Sequence, residues 1–133
     1  MAILNHERIQ LAHGSGGKLS HDLVETIIFP AFANEILAEM HDGAKLAIPG
    51  GQLAFTTDSY VVKPLFFSGG NIGKLAICGT VNDLSMTGAC PLYLSVGFII
   101  EEGFLMDDFV HIIDSMKQAA SRPRPTGGTA TNR

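Results

Sequence analysis

The sequence lacks tryptophan and has only two cysteines, Cys78 and Cys90, among its 133 residues. Two isolated cysteines are too few for a disulfide framework, and their spacing matches no structural zinc motif. No segment reaches the ~18–20 uninterrupted apolar residues that a membrane-spanning helix needs. The N-terminus also lacks the apolar run of a signal peptide. We therefore expect a cytoplasmic protein that has no membrane partner.

An excess of basic residues is also absent, because 9 Lys and Arg stand against 13 Asp and Glu. Nucleic-acid binders normally carry a clustered basic surface, so we expect no nucleic-acid partner. The charged fraction of 17% and apolar fraction of 46% favour a folded domain. By contrast, the segment 121–133, SRPRPTGGTATNR, has no acidic and no large apolar residue. We expect one domain over residues 1–120 and a disordered tail over 121–133.

The spacing of apolar residues predicts three main helices. The first begins near residue 18, with Ser20 as its N-cap, and is kinked or stopped by Pro30. The second runs over 71–86 with Asn71 as its N-cap, and the third runs over about 107–120. Their predicted buried side chains are Leu75, Ala76, Cys78, Val81 and Leu84 in the second helix, and Phe109, Ile112, Ile113 and Met116 in the third.

Alternating apolar residues predict strands over residues 53–57 and 92–100. Together with the helices, this order indicates an α/β fold, a mixed sheet with helices on one face. The other face of the sheet also carries apolar positions, so we expect it to need a partner surface.

Three polar, glycine-containing segments are candidates for chemistry. HGSGGK (13–18) precedes a helix and can aim backbone N–H groups at an anion, although a flexible connector has the same composition. Asp58 ends a predicted strand and suits Mg²⁺ that keeps waters and phosphate oxygens, although an aspartate in a turn is the simpler interpretation. Asn82 and Asp83 interrupt an apolar helix that also contains glycines, which indicates either a ligand site or a close backbone approach.

The remaining histidines and cysteines give weaker signals. Four histidines show no metal-ligand spacing and are expected at the surface: His6, His21, His41 and His111. Cys78 lies on a predicted apolar helix face, so we expect it in the core. Cys90, beside Pro91, is expected to be exposed, and no neighbouring base marks it as a nucleophile.

Taken together, two segments resemble the HypE family of hydrogenase maturation proteins, which are carbamoyl dehydratases. They are HGSGGK and FTTDSYVVKPLFFSGGNIGKLAICGTVNDLSMTGACPLYLSVGFIIEEG. The resemblance covers about 9–120 and extends to a superfamily that includes aminoimidazole ribonucleotide synthetase (PurM), selenophosphate synthetase and thiamin-monophosphate kinase. It implies a PurM-like N-terminal-domain fold that uses ATP and Mg²⁺.

The same resemblance assigns roles to particular residues. Asp58 and Asp83 match the family's metal-binding aspartates. Gly14, Ser15, Gly16 and Gly17 match the mobile loop that covers the phosphates, and Lys74 and Asn82 lie in matching nucleotide-binding motifs.

The family resemblance also implies an activity and partners. Family members use ATP to dehydrate a thiocarboxamide on their own C-terminal cysteine to a thiocyanate, which supplies cyanide for the nickel–iron hydrogenase centre. HypF provides the carbamoyl group, the HypC–HypD complex receives the cyanide, and the protein forms a homodimer.

The tail departs from the family pattern, in which a strand, a third acidic motif and a second domain follow. No C-terminal cysteine is present, so no catalytic residue is assigned. We expect a truncated chain that lacks the C-terminal domain and is inactive alone. Two alternatives stay open: a catalytically inactive dimerisation or assembly module, and another ATP-dependent enzyme of the superfamily, such as a small-molecule kinase.

Overall fold

The computed structural model describes residues 6–48 and 50–121. Most of the tail predicted to be disordered, residues 122–133, lies outside the described residues. In chain order the elements are a 3-10 helix (Leu11–Gly14), α1 (Lys18–Leu23), a π-helix (Val24–Ile28), α2 (Phe29–Phe32), a second 3-10 helix (Leu37–Glu39), β1 (Phe66–Phe67), β2 (Gly70–Asn71), α3 (Ile72–Met86) and α4 (Met106–Ala120). In the described part, no helix is both long and apolar enough to cross a membrane.

The first predicted helix forms and begins at Lys18, as predicted, but its cap and its end differ from the prediction. Its N-cap is Gly17, whereas the predicted cap Ser20 is the third helical residue and donates its hydroxyl to the His13 carbonyl at 2.7 Å. Pro30 does not stop the helix, which continues through α2. Proline has no N–H and its ring collides with the carbonyl four residues earlier in an α-helix. The wider π-helical turn of Val24–Ile28 directly precedes α2 and changes this hydrogen-bond pattern.

The N-terminus of helix α3 is fixed by Asn71, as predicted. The Asn71 side chain accepts hydrogen bonds from the backbone N–H groups of Gly73 at 3.0 Å and Lys74 at 3.2 Å. Its amide nitrogen also donates to the Ser115 hydroxyl on α4 at 2.8 Å. Asn71 is buried, so these bonds satisfy a polar group that would otherwise destabilise the interior. One residue therefore both starts α3 and ties it to α4.

The buried side of α3 agrees with the prediction only in part. Ala76, Val81 and Leu84 are half-buried, and Val81 packs against the core. Gly73 and Ile77 are its buried residues, whereas Leu75 and Cys78 are exposed. A Cβ at Gly73 would lie 2.5 Å from the Ile112 carbonyl oxygen, so the absence of a side chain lets α4 approach. Because glycine carries no apolar side chain, hydrophobic periodicity does not identify this contact.

Helix α4 supplies most of the core, and its predicted apolar stripe is confirmed. Phe109, Ile112, Ile113 and Met116 are all buried. They pack with Ile9, Leu23, Ile77 and Met106. The Phe98 ring adds an edge-to-face contact with Phe109, with centroids 5.5 Å apart.

The N-terminal segment is held against the loop before α4 by backbone hydrogen bonds. The Ile9 N–H donates to the Phe104 carbonyl at 2.8 Å, and the Gly103 N–H donates to the Ile9 carbonyl at 2.7 Å. These bonds place Ile9 in the core and fix the residues that precede the glycine-rich loop.

The two predicted strands lie outside the hydrogen-bonded sheet of the described residues, which consists only of the antiparallel pair β1 and β2. The predicted α/β class is nevertheless confirmed by this small sheet and the helices. Several apolar side chains of the two segments face solvent: Phe55 is 82% exposed, and Ile99 is fully exposed. Soluble monomers rarely leave large apolar areas uncovered, so these segments need a covering surface.

We predict that Asn71→Ala destabilises the chain by about 1–2 kcal/mol, because it removes a helix cap and leaves Ser115 without its partner. Thermal unfolding followed by circular dichroism should show a melting temperature lower by about 4–8 °C. Asn82→Ala makes the same change at an exposed position of α3 and should stay within about 0.5 kcal/mol of the unmodified chain. Equal effects of the two substitutions would contradict the capping role.

Candidate functional site

A cleft of about 110 Å³ lies between helix α3 and the two segments predicted to be strands. It is lined by residues 54–58 and 93–95 and, from α3, by Thr80 and Leu84. Asp58 is the acidic residue of this lining. The cleft therefore combines one carboxylate and several hydroxyl groups with apolar side chains.

Asp83 lies on the helix that forms one wall of the cleft. It directly precedes Leu84 and follows Gly79 by four residues, so it shares a side of α3 with Gly79. Both Asp58 and Asp83 are exposed. Among the described residues, the side chain of Asp83 accepts one long hydrogen bond, at 3.5 Å from Asn82, and neither carboxylate forms an ion pair. Both acids are thus available to a cation.

The donor set around the cleft suits a hydrated divalent cation. Within residues 6–48 and 50–121, no group of three or more His, Cys, Asp and Glu side chains is arranged to enclose a metal. Mg²⁺ commonly takes one or two carboxylates and completes its six ligands with waters and phosphate oxygens. Asp58 lines the cleft and Asp83 lies outside its lining on α3, and these two carboxylates are the number that such an ion takes. A tetrahedral zinc site would need more protein ligands.

Polar groups of the glycine-rich loop form hydrogen bonds with neighbouring residues of the chain. The Gly16 N–H donates to the Ser20 hydroxyl at 2.9 Å, and the Ser15 hydroxyl donates to the Ala12 carbonyl at 3.0 Å. Gly16 has φ = 76°, a left-handed conformation that glycine adopts without strain. Residues 14–18 are all exposed. The predicted anion-binding N–H of Gly16 is therefore occupied by Ser20.

The structure does not join every predicted site residue to the cleft. Neither the lining of the cleft nor the hydrogen bonds of the loop connects the two in the described part of the chain. Lys74 lies in the first turn of α3, where its ammonium donates to the Gly69 carbonyl at 2.6 Å. Asn82 is exposed next to Asp83. The nucleotide-binding roles of the loop, Lys74 and Asn82 stay predictions.

His13 is a buried residue at the base of the glycine-rich loop, and composition gives no sign of its burial. It is only 5% exposed, and its Nδ1 accepts a hydrogen bond from the Gln10 N–H at 2.9 Å. Its buried Nε2 has no partner among the described residues. The ring packs edge-on against His6, with centroids 5.5 Å apart. The loop is thus anchored by an aromatic side chain at its start.

The predictions for the other histidines and the cysteines have mixed outcomes. His21, His41 and His111 are exposed as expected, whereas His6 is half-buried. Cys90 is exposed as expected. The core position predicted for Cys78 is wrong, because the buried side of α3 turns elsewhere.

Tyr60 contacts α3 close to the cleft, a contact that the sequence indicates only indirectly. The Tyr60 hydroxyl lies 3.2 Å from the Thr80 hydroxyl and beside Gly79. The indirect signal is Gly79, because a glycine inside a predicted helix indicates that another group packs closely against the helix backbone. That approaching group is the Tyr60 ring.

Comparison with known proteins shows that the chain is similar in sequence to hydrogenase maturation proteins. Carbamoyl dehydratase HypE of Escherichia coli (strain K12) is 54% identical over 117 residues, which are 84% of this chain and 35% of that protein. HypE of Rhizobium leguminosarum bv. viciae is 53% identical over 126 residues, 92% of this chain and 36% of that protein. The chain therefore spans about a third of the length of these curated relatives.

A solved structure and a family profile agree with these sequence matches. The crystal structure of hydrogenase maturation protein HypE in complex with ATP matches with a TM-score of 0.81 and 51% identity, over 84% of this chain and 33% of that one. The expected resemblance to HypE and the PurM-like fold are thereby confirmed. The profile described as "AIR synthase related protein, N-terminal domain" matches residues 24–127. The chain belongs to this family of AIR synthase related proteins and carries its N-terminal domain.

Proposed function

We propose that the chain is the Mg-ATP-binding domain of a HypE-like hydrogenase maturation factor. The observation that supports this most directly is the cleft, whose lining joins Asp58 to Thr80 and Leu84 of the helix that carries Asp83. The fold around this cleft is that of a 51% identical protein crystallised with ATP. A triphosphate is strongly anionic, so a site with two carboxylates binds it only through a bridging cation. Mg²⁺ is the cation that this donor set fits best.

In this proposal the chain acts by positioning and charge neutralisation. Bound Mg²⁺ supplies the positive charge that offsets repulsion between carboxylates and phosphates and polarises the phosphoryl oxygens. Asp58, which lines the cleft, and Asp83, on the helix that borders it, would hold this ion. The hydroxyl groups of Thr57 and Thr80 are candidates to orient phosphate oxygens or waters.

The glycine-rich loop covers the phosphates in the proposed complex. For this, the Gly16 N–H exchanges its bond to the Ser20 hydroxyl for one to a phosphate oxygen. Such a hydrogen bond to a charged acceptor is about twice as strong as one to a neutral hydroxyl. Lys74 and Asn82 complete the proposed nucleotide site, with Asn82 supporting the adjacent Asp83 carboxylate.

The chemistry proposed for the complete protein is the ATP-dependent dehydration of a C-terminal cysteine thiocarboxamide to a thiocyanate. Phosphoryl transfer to the amide oxygen converts it into a leaving group, and loss of phosphate with the nitrogen's protons forms the carbon–nitrogen triple bond. The cysteines of this chain are Cys78 and Cys90, neither of them C-terminal. The contribution of this chain to that reaction is the nucleotide site, with HypF and the HypC–HypD complex as partners of the complete protein.

We expect ATP to bind this chain only with Mg²⁺, and each of Asp58→Asn and Asp83→Asn to weaken binding by about tenfold or more. Each substitution removes one charged ligand while it preserves side-chain shape. Isothermal titration calorimetry with ATP, at several Mg²⁺ concentrations, measures the effect.

The matched control for these substitutions is Asp114→Asn, which removes the same charge from an exposed position of α4. It should bind Mg-ATP like the unmodified chain. The proposed function fails if the unmodified chain does not bind Mg-ATP, or if the control loses as much affinity as the two site variants.

A specific observation also supports a second role as a dimerisation module. Segments 53–57 and 92–100 expose apolar side chains, among them Leu53, Phe55 and Ile99. A second copy of the chain presents the same segments, and two such faces can cover each other around a two-fold axis. The proposed homodimer therefore buries the apolar face that a single chain leaves in solvent.

We predict a dimer in sedimentation velocity, and a dissociation constant at least about tenfold higher for Ile99→Lys. The substitution places an unpaired charge where an apolar side chain is to be buried. Leu11→Lys, at an exposed apolar position of the N-terminal 3-10 helix, serves as the matched control and should leave the dimer unchanged. A monomeric unmodified chain would refute this assembly.

A further inference from the structure

Tyr60 connects the segment that carries Asp58 with the helix that carries Asp83. Its hydroxyl lies 3.2 Å from the Thr80 hydroxyl, within hydrogen-bond distance. Tyr60 follows Asp58 by two residues, and Thr80 lines the cleft together with Asp58. The contact is half-buried, so the hydrogen bond is partly shielded from competing water.

The close approach of Tyr60 to α3 depends on Gly79. A Cβ at position 79 would collide with the Tyr60 hydroxyl and lie 3.0 Å from Cζ and 3.1 Å from Cε1 of the ring. Glycine in a helix interior is unfavourable relative to alanine. Its presence here is explained by the ring, which occupies the space that any side chain would fill.

Gly79 and Asp83 lie on the same side of α3. They are four residues apart, so they are one above the other on successive turns. The Tyr60 ring therefore rests one helical turn from the position of Asp83, while its own backbone lies two residues from Asp58. A single aromatic side chain spans the two elements that carry the acids.

The Tyr60–Thr80 hydrogen bond is the link between the Asp58 segment and α3 in the described part of the chain. Among the described residues, no other hydrogen bond links residues 53–62 to α3. The backbone of this segment is also outside the hydrogen-bonded sheet. The position of Asp58 relative to α3 thus depends on the Tyr60–Thr80 contact and on packing around it.

We propose that Tyr60 is a positioning residue, which seats on Gly79 and holds Asp58 where it can share one Mg²⁺ with Asp83. This inference rests on the proposed Mg-ATP site and assigns it a residue that contacts neither metal nor nucleotide. Gly79 is equally necessary, because the absence of a side chain there leaves the space that the Tyr60 ring occupies. A role in the core alone would change stability without changing the dependence of ATP binding on Mg²⁺.

Tyr60→Phe tests the hydrogen bond with the smallest change of shape. In the full chain, we expect the Mg²⁺ concentration that gives half-maximal ATP binding to rise by about fivefold, the ratio typical of one lost hydrogen bond. Calorimetric ATP titrations at a series of Mg²⁺ concentrations provide this value. Melting temperatures without ligand report any structural effect separately.

Gly79→Ala tests the seat, and Cys78→Ala is its matched control at the neighbouring exposed position. In solvent, glycine to alanine strengthens a helix, so a stability loss in Gly79→Ala reports the clash with Tyr60. We expect Gly79→Ala to raise the Mg²⁺ requirement, and Cys78→Ala to leave it unchanged. The effect of Gly79→Ala should be smaller in a Tyr60→Phe background, because removing the hydroxyl relieves part of the clash.

The outcomes separate this inference from the proposed function. If Asp58→Asn weakens Mg-ATP binding while Tyr60→Phe and Gly79→Ala keep the Mg²⁺ dependence of the unmodified chain, the positioning role is wrong and the site stands. If the unmodified chain does not bind Mg-ATP, both are wrong. If Gly79→Ala does not fold, the test rests on Tyr60→Phe alone. A lower melting temperature of Tyr60→Phe with an unchanged Mg²⁺ requirement then overturns the inference.

Discussion

The close packing of α3 on α4 at Gly73 supports the other contacts of the candidate site. With no side chain at Gly73, the Ile112 carbonyl comes within reach of the α3 backbone, and Asn71 adds a hydrogen bond to Ser115 at the same end. Core residues of α4 then hold the first half of α3 rigidly. A helix anchored at one end in this way can present its other end to a ligand without relying on the loops around it.

One stripe of α3 serves two purposes along its length. Gly73 and Ile77 face the core, and Thr80 and Leu84 continue the same helical spacing into the cleft. The adjacent side carries Gly79, against the Tyr60 ring, and Asp83 one turn later. This division explains why the segment breaks ordinary helix rules: its glycines make room for α4 and for Tyr60, and its polar residues lie beyond the core.

Local signals in the sequence predicted the parts of the fold that depend on local contacts. The α4 stripe from Phe109 to Met116 and the Asn71 cap are both properties of a single helix, and both are confirmed. The buried face of α3 is predicted only in part, because one of its two fully buried residues is Gly73, which has no apolar side chain. The alternative in which Pro30 stops its helix is wrong, because the π-helical turn before it changes the hydrogen-bond pattern. For the site, resemblance indicates both acids, and the sequence alone adds the strand-end position of Asp58 and the place of Asp83 within an apolar helix. It does not indicate Tyr60, because the contact of Tyr60 depends on tertiary structure.

The two predicted strands show why a single sequence does not determine which segments pair in the sheet. Alternating apolar residues indicate which side chains avoid water, but they do not specify which surface covers them. Phe55 illustrates the consequence, since it is 82% exposed and also lines the cleft that contains Asp58. Any surface that covers Phe55 therefore also reshapes a wall of the candidate nucleotide site. In the proposed dimer, assembly and ligand binding would therefore be coupled through Phe55, because it belongs to the same segment as Asp58.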